Sequence, residues 1–138
     1  MDCVHALCSR PVFSPDGNEI VYEYLNYPDG RNILVSPRWM NLRTGENKPL
    51  FKTMNFPGSA PRWSPDGAWL SYSAAGGLRL YNTQTGENRL VRSLYSYGAE
   101  WSPGGAAILY LDAVIKDDGQ VVAQALVYQL TSDTARNI

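Results

Sequence analysis

The sequence predicts an all-β chain in which one four-stranded antiparallel unit is repeated three times. The phrase Phe13-Ser14-Pro15-Asp16-Gly17 returns as Trp63-Ser64-Pro65-Asp66-Gly67 and, altered, as Trp101-Ser102-Pro103-Gly104-Gly105. The first interval is 50 residues and the second is 38, and such periods are typical of repeat proteins rather than of one closed core. Apolar and polar residues alternate after every copy, and helical apolar spacing is absent.

The middle copy is the shortest and shows the unit most clearly. Its four strands are expected at 60–63, 68–73, 78–82 and 88–92. Four short antiparallel strands within about forty residues are typical of a β-propeller blade. The sequence therefore predicts a partial β-propeller that has an N-terminal strand or tail at 1–10 and three blades at 11–57, 58–97 and 98–138.

The repeated phrase is best explained as the turn between the first two strands of a blade. Proline sets φ for the first corner, aspartate suits the second corner and accepts bonds from nearby amides, and glycine takes the left-handed position. Asp16 and Asp66 are therefore interpreted as turn residues, and the third copy agrees because Gly104 replaces the aspartate there. The aromatic residue before each turn is expected to fill the wedge between neighbouring blades.

The hairpin between the second and third strands differs among the copies. Copies one and three each carry nine more residues there than copy two, and their hairpin tips are expected at 27–32 and 116–120. Pro37 lies inside the lengthened third strand of copy one. Since proline cannot donate to a strand ladder, a bulge or an interruption is expected near it.

The phrases Pro11–Gly17 and Pro61–Gly67 resemble the TolB-type (WD-repeat-like) propeller repeat, whose hallmark is Pro-x-aromatic-Ser-Pro-Asp-Gly. The third copy has Ala99 and Gly104 in place of the proline and the aspartate, so a looser turn is expected there. The resemblance covers nearly all of the chain from Pro11 onward and implies the propeller fold. Similar repeats occur in periplasmic TolB, in the noncatalytic propeller of prolyl oligopeptidase-like peptidases and in interaction platforms, so the resemblance leaves the function open.

The composition argues against nucleic-acid binding and against a membrane span. A net charge of −1 and a pI of about 5.7 do not suit a nucleic-acid-binding protein, because phosphate neutralisation needs clustered Lys and Arg. The chain contains no run of eighteen apolar residues and no signal-peptide pattern. The compartment therefore stays unknown, and a periplasmic or other extracytoplasmic location is suggested by the family resemblance alone.

The two cysteines, Cys3 and Cys8, flank the single histidine, His5. A structural zinc site normally has four ligands, and no fourth Cys or His exists in the chain. A local disulfide or two reduced thiols on a frayed terminus are the two favoured interpretations. No metal or other cofactor is predicted.

The sequence contains no recognisable set of catalytic residues, such as a nucleophile with its base. The protein is therefore predicted not to be an enzyme. The G-x-S-x-G pattern is absent, and His5 lies outside the repeat. Asp117 and Asp118 precede Gly119 at an expected hairpin tip, where a solvated turn is the first interpretation. Calcium binding is the alternative, and it would need further oxygen ligands such as Asp112.

A binding surface is predicted along one rim of the propeller. Both hairpin extensions project on the same side as the connections between blades, and this side is rich in aromatic residues, which interfaces favour. The predicted partner-binding residues are Tyr27, Arg31, Phe56, Tyr95, Tyr97, Lys116 and Asp117. The predicted function is a noncatalytic, TolB-like platform for protein–protein interaction. The alternative is the propeller portion of a prolyl oligopeptidase-like peptidase, which gates access to a separate catalytic domain.

Three blades are not expected to close a ring alone, because known propellers need at least four. Each terminal sheet face is expected to expose apolar side chains, with Val21, Leu80, Ile108 and Leu126 as the expected examples. Soluble monomers rarely expose apolar surfaces of this size, so another blade or another protein is expected to cover each face. Self-association into six blades, a longer parent chain or a larger complex would supply it, and Met1–Arg10 could add an outer strand across the junction. The sequence does not identify the protein partner or any small-molecule ligand.

Overall fold

The computed structural model describes residue 3 and residues 6–27, 30–31, 33–51, 57–95 and 97–138. Three four-stranded antiparallel sheets make up this part of the chain, and each sheet follows the order of the sequence. Blade 1 contains β1 (Leu7–Phe13), β2 (Glu19–Asn26), β3 (Leu34–Asn41) and β4 (Asn47–Pro49). Blade 2 contains β5 (Gly58–Trp63), β6 (Trp69–Ala74), β7 (Gly77–Asn82) and β8 (Asn88–Arg92). Blade 3 contains β9 (Tyr97–Trp101), β10 (Ala107–Ile115), β11 (Val121–Gln129) and β12 (Thr134–Asn137).

This architecture confirms the all-β class and the three four-stranded blades. The described residues contain no α-helix, and so no apolar helix long enough to cross a membrane. The N-terminal segment differs from the expected outer strand. Residues 7–10 extend the first strand of blade 1, where Leu7 pairs with Leu25 and Cys8 with Tyr24. A disulfide joins Cys3 to Cys8, as in the first of the two interpretations from sequence.

The repeated turns have the geometry that their residues predict. Gly17 has a φ of 72°, and its amide donates to the carbonyl of Ser14 at 2.9 Å. The Ser14 hydroxyl donates to Asp16 Oδ1 at 2.6 Å and accepts from the amide of Glu19 at 3.0 Å. The turn of the third copy keeps the equivalent bond from the Gly105 amide to the Ser102 carbonyl at 2.9 Å. Because this hydrogen bond is kept, the third turn differs only in the missing aspartate carboxylate. The looser geometry expected from its sequence is not observed.

Pro37 does not interrupt β3, and that prediction was wrong. The pairing with β2 runs without a break from Glu19 opposite Asn41 to Asn26 opposite Leu34. The Pro37 carbonyl accepts from the amide of Leu50 at 3.1 Å. Because the N and C=O of one strand residue point to the same side, the proline nitrogen faces the outer edge, just beyond the end of β4. The missing N–H therefore leaves the ladder with β2 intact.

Blades 2 and 3 enclose the principal core. Leu78, Leu80 and Val91 of blade 2 pack against a buried row of blade 3, which consists of Ile108, Tyr110 and Tyr128. Trp101 fills the wedge between these blades, as predicted for the aromatic residue before the turn, and its Nε1 donates to Ser71 Oγ at 3.1 Å. Phe13 occupies the equivalent position of blade 1, on the side away from blade 2, and it is 66% exposed. The wedge prediction therefore holds for Trp101, and it is not tested at Phe13, because no described blade lies beside that face of blade 1.

The side chains expected on the open sheet faces are instead covered. Val21, Leu80 and Ile108 are fully buried, and Leu126 packs against the core between blades 2 and 3. Leu80, Ile108 and Leu126 belong to the rows that face a neighbouring blade. Alternation separates the two rows of a strand, but it does not say which row meets the neighbour.

Candidate interaction rim

Alternate strand connections lie on the same edge of each blade, because antiparallel strands reverse direction at every turn. One edge carries the hairpins 27–33, 75–76 and 116–120 and the connections 50–57 and 93–96, and we call this edge the hairpin rim. The opposite edge carries the three repeated turns, and we call it the turn rim. Five of the predicted binding residues belong to the segments of the hairpin rim: Tyr27, Arg31, Tyr95, Lys116 and Asp117.

The hairpin of blade 2 is much shorter than its neighbours. Only Ala75 and Gly76 separate β6 from β7, whereas seven residues separate β2 from β3 and five separate β10 from β11. Gly77 makes this tight turn possible, because it has a φ of 144° and a Cβ there would lie 2.1 Å from the Val91 carbonyl oxygen. Blade 2 therefore leaves a notch between the two long hairpins.

A recess of about 330 Å³ lies beside this notch, between blades 1 and 2. Ile33 and Val35 form its blade 1 wall, and Ala74 and Ala75 form part of its blade 2 wall. Small residues of the strand β5 complete the lining, among them Gly58, where a Cβ would lie 2.6 Å from the Tyr72 ring. The recess is apolar and open, which suits an aliphatic or aromatic side chain rather than a charged group.

Two predicted residues lie on the blade 1 side of the notch. Tyr27 follows β2 directly and is 45% exposed, and its carbonyl accepts from the Gly30 amide at 3.1 Å. Arg31 follows in the same hairpin and is exposed. Both precede Ile33 of the recess wall, so the structure places them in the hairpin that borders the recess.

The other predicted residues belong to blade 3 and to the connection that leads into it. Tyr95 is 64% exposed in that connection. Lys116 and Asp117 are exposed in the hairpin 116–120, where the Lys116 amide donates to the Gln120 carbonyl at 2.8 Å. Tyr97 begins β9 and pairs with Leu111, and Phe56 lies outside the described residues. The structure thus places the described members of the predicted set on both sides of the notch.

Asp112 fixes the connection 93–96 to blade 3. Its Oδ1 accepts from the Ser93 hydroxyl and from the amides of Leu94 and Ala113, each at 2.8 Å, and from the Tyr95 amide at 3.2 Å. Burial opposes the charged form of Asp112, but these hydrogen bonds outweigh it and lower the pKa of the carboxyl group. Asp112 therefore positions Tyr95. Asp118 accepts the Gln120 amide at 2.9 Å, as the turn interpretation predicts.

Sequence reasoning overlooked Glu23, a carboxylate buried between blades 1 and 2. Its Oε1 accepts the Ala60 amide of blade 2 at 2.7 Å, and its Oε2 accepts the Ser9 hydroxyl at 2.9 Å. Arg10 completes the set, with its Nη1 3.3 Å from Oε1. Ala60 has a φ of 53° at a bulge of β5, which exposes its amide to this carboxylate. The sequence did contain one sign of this role. Glu23 is a charged residue in the middle of an alternating strand, at the position where blade 2 has Ser73.

The turn rim is polar. A hollow of about 480 Å³ lies between the first two repeated turns, with Asp16, Glu19, Asp66 and Trp63 in its lining. Both aspartates accept hydrogen bonds from their own turns, which agrees with their predicted turn role. Within the described ranges, no group of three or more His, Cys, Asp or Glu side chains is arranged to hold a metal ion.

No protein-family model matches the sequence, and the comparison with curated proteins finds no match. The fold, however, is similar to propeller domains of known structure. An acylaminoacyl peptidase from Pyrococcus horikoshii matches 96% of this chain with a TM-score of 0.74 and 15% identity. The β-propeller domain of the trilobed protease from Pyrococcus furiosus matches 97% with a TM-score of 0.75 and 13% identity. An oligogalacturonate lyase in complex with manganese matches 96% with a TM-score of 0.70 and 13% identity.

These similarities confirm the propeller fold. The chain spans a quarter of the acylaminoacyl peptidase, 42% of the trilobed protease chain and 40% of the lyase.

Proposed function

We propose that this chain forms part of the noncatalytic propeller of a peptidase-like hydrolase, in which the propeller controls access to a separate catalytic domain. The observation that carries the proposal is the similarity of the whole three-blade stack to the propellers of several peptidases. Acylaminoacyl peptidase, the trilobed protease and a dipeptidyl peptidase 4 from Porphyromonas gingivalis are among them. The TolB-type assignment remains a finer hypothesis within the same fold.

The chemistry of the described residues supports a noncatalytic role. Acyl transfer needs a nucleophile with a base and a site for the developing oxyanion. The single histidine of the chain, His5, lies outside the repeat and outside the described residues, and the carboxylates with the most hydrogen bonds stabilise the fold. Glu23 binds the Ala60 amide across a blade junction, and Asp112 binds the connection 93–96. Catalysis would accordingly belong to another part of the protein.

The junctions between blades support a gating role. Glu23 joins blade 1 to blade 2, and the Arg89 Nη1 donates to the Leu130 carbonyl at 2.7 Å to join blade 2 to blade 3. Trp101 adds a third cross-blade contact. A stack that is fixed at each junction opens little, so a propeller built from it would admit short, extended substrates and exclude folded proteins.

A TolB-like interaction platform is the second candidate function. The observation that favours it is the exposure of Tyr27 and Tyr95 on the hairpin rim, because exposed aromatic side chains are frequent anchors of protein interfaces. Removal of both hairpin tips, 27–31 and 116–120, would then abolish binding of the partner and leave the blades folded. Binding that survives both deletions would contradict the rim assignment.

Substrate size tests the gating proposal. The protein is purified from its native source with an antibody against this chain, and its hydrolysis of short chromogenic peptides is compared with its hydrolysis of a folded protein of the same composition. We expect cleavage of the peptides alone, and no cleavage of either substrate by residues 1–138 produced separately. Equal cleavage of both substrates, or activity of the separate chain, would contradict the proposal.

A further inference from the structure

A disulfide closes a short loop at the start of β1. It joins Cys3 to Cys8, and within the loop the Ala6 amide donates to the Cys3 carbonyl at 3.0 Å. Cys8 pairs with Tyr24 in the ladder between β1 and β2, so the loop lies on the hairpin rim, where β2 ends. A covalently closed loop gains less conformational freedom when the adjoining strand end opens. The disulfide therefore opposes fraying of the start of β1.

The strand end that follows this loop is separated from the rest of β1 by a bulge. Residues 7–9 pair with β2, and the register then shifts before the pairing resumes at Val12. Arg10 lies within the bulge and has a φ of 49°, in the left-handed region that is unfavourable for a residue with a Cβ. A short paired segment beyond a bulge can open while the rest of the strand stays in place. The loop thus restrains a segment that can detach locally.

The same segment holds the carboxylate that joins blade 1 to blade 2. The Ser9 hydroxyl donates to Glu23 Oε2 at 2.9 Å, and Arg10 Nη1 lies 3.3 Å from Oε1. Glu23 in turn accepts the Ala60 amide of β5 at 2.7 Å. The Glu23 side chain is 6% exposed, so these three partners replace the water that its carboxylate has lost. Detachment of residues 7–10 removes two of the three partners and admits water to the junction.

We propose that the Cys3–Cys8 disulfide is a redox-sensitive lock on the junction between blades 1 and 2. While the disulfide is intact, residues 7–10 stay on β2 and Glu23 stays bound to the Ala60 amide. A dithiol reductant releases the lock. One of its thiolates attacks a sulfur of the disulfide, and its second thiol resolves the mixed disulfide. Two electrons and two protons thereby pass to Cys3 and Cys8, and the dithiol becomes a cyclic disulfide. Both cysteines are partly exposed at the edge of the blade, where a small reductant can reach them.

Hydrogen exchange of the Ala60 amide measures the state of the junction directly, because Glu23 is its acceptor. The full protein is compared without and with a dithiol, and exchange is measured by mass spectrometry on overlapping fragments that isolate this amide. We expect reduction to raise its exchange rate by about tenfold, because opening of the strand end is no longer restrained by the closed loop. The amides of Ser64 and Ser102 are the controls. They donate to carbonyls at the turn rim at 2.8 and 2.9 Å, and their exchange rates should not change.

Two variants test whether the disulfide acts through Glu23. Replacement of both cysteines, Cys3→Ser with Cys8→Ser, should give the fast exchange of the Ala60 amide with or without the dithiol. Glu23→Ala removes the acceptor, so the same amide should exchange rapidly in both redox states, and the effect of reduction should fall below about twofold. Glu46→Ala is the matched control, because Glu46 is an exposed carboxylate of the same blade. This control should keep the full response to the dithiol.

Free thiols at both cysteines of the protein as isolated would overturn the proposal, and so would an Ala60 exchange rate that reduction leaves unchanged. Faster exchange at the two control amides as well would also overturn it, because the disulfide would then stabilise the whole fold and not one junction. A full response that survives in Glu23→Ala would overturn the route through this carboxylate. The comparison of the parent protein in its two redox states needs no variant, so it decides the proposal even if Glu23→Ala does not fold.

The lock goes beyond the gating role and does not depend on it. In a propeller that controls access, the lock would make access depend on the redox state, and this consequence alone rests on the proposed function. A protein without hydrolase activity would leave the exchange of the Ala60 amide measurable. An exchange rate that does not respond to reduction would leave the substrate-size experiment unaffected.

Discussion

A carboxylate buried between two sheets is stable when hydrogen bonds replace the water that it has lost. Glu23 receives these bonds from Ser9, Arg10 and Ala60. The first two lie on β1 of its own blade, and the third lies on β5 of the next blade. This single side chain therefore couples the folding of blade 1 to that of blade 2.

The Glu23→Ala variant should lower the free energy of unfolding by about 2–3 kcal/mol, because it leaves the partly buried Ala60 amide at the blade junction without its acceptor. Urea denaturation measures the change. The control is Glu46→Ala, whose side chain makes an exposed ion pair with Lys48 at 3.0 Å and should cost less than about 1 kcal/mol. Equal losses in the two variants would show that the contact between blades contributes nothing.

The repeated turns make stability depend on pH. Hydrogen bonds from the Ser64 hydroxyl and the Ala68 amide hold the pKa of Asp66 below its ordinary value of 3.8. A carboxyl group with a lowered pKa in the folded state stabilises fully above its unfolded pKa, and this stabilisation is lost as the pH falls through the folded pKa. Urea denaturation from pH 7 to pH 2.5 should show a smaller loss of stability below pH 4 for Asp66→Asn than for the parent. An identical pH profile would refute this role.

At the scale of the strand elements, the short hairpin of blade 2 depends on Gly77. Substitution by alanine would place Cβ 2.1 Å from the Val91 carbonyl oxygen at a φ of 144°, so β7 and β8 would have to separate. We expect Gly77→Ala to cost at least about 3 kcal/mol in thermal or urea unfolding. Gly86→Ala is the control, because Gly86 has a φ of 77° and open space around it, and about 1 kcal/mol is expected there. Similar costs at the two sites would contradict the steric account.

The strand elements were predictable where local chemistry decides the structure. The glycines of the repeated turns adopt the left-handed conformation, and the extra residues of copies one and three lengthen the predicted hairpins. Pro37 was misjudged because its effect depends on which edge of β3 its nitrogen faces, and β4 ends beside that edge. Glu23 was overlooked because its acceptor role depends on the Ala60 amide, 37 residues away in the sequence.

At the scale of the whole molecule, the repeat predicted the three blades but not the identity of their open faces. Val21, Leu80 and Ile108 were expected to be uncovered and are buried. Leu109 and Leu111, in the alternate row of β10, are the exposed residues. Which row meets a neighbour is decided by the order and stagger of the sheets, and a single strand's alternation does not contain that information. The candidate rim was predictable as a set of connections, and the recess beside the short hairpin was not.

The location of the catalytic nucleophile decides whether this chain is the noncatalytic propeller of a larger hydrolase. The native protein, isolated with an antibody against this chain, is treated with a fluorophosphonate probe that labels reactive serines, and the labelled peptide is identified by mass spectrometry. We expect one labelled serine in a domain outside residues 1–138, and no label on residues 1–138 produced separately. A label on a serine within 1–138, or a native protein that takes up no label, would contradict it.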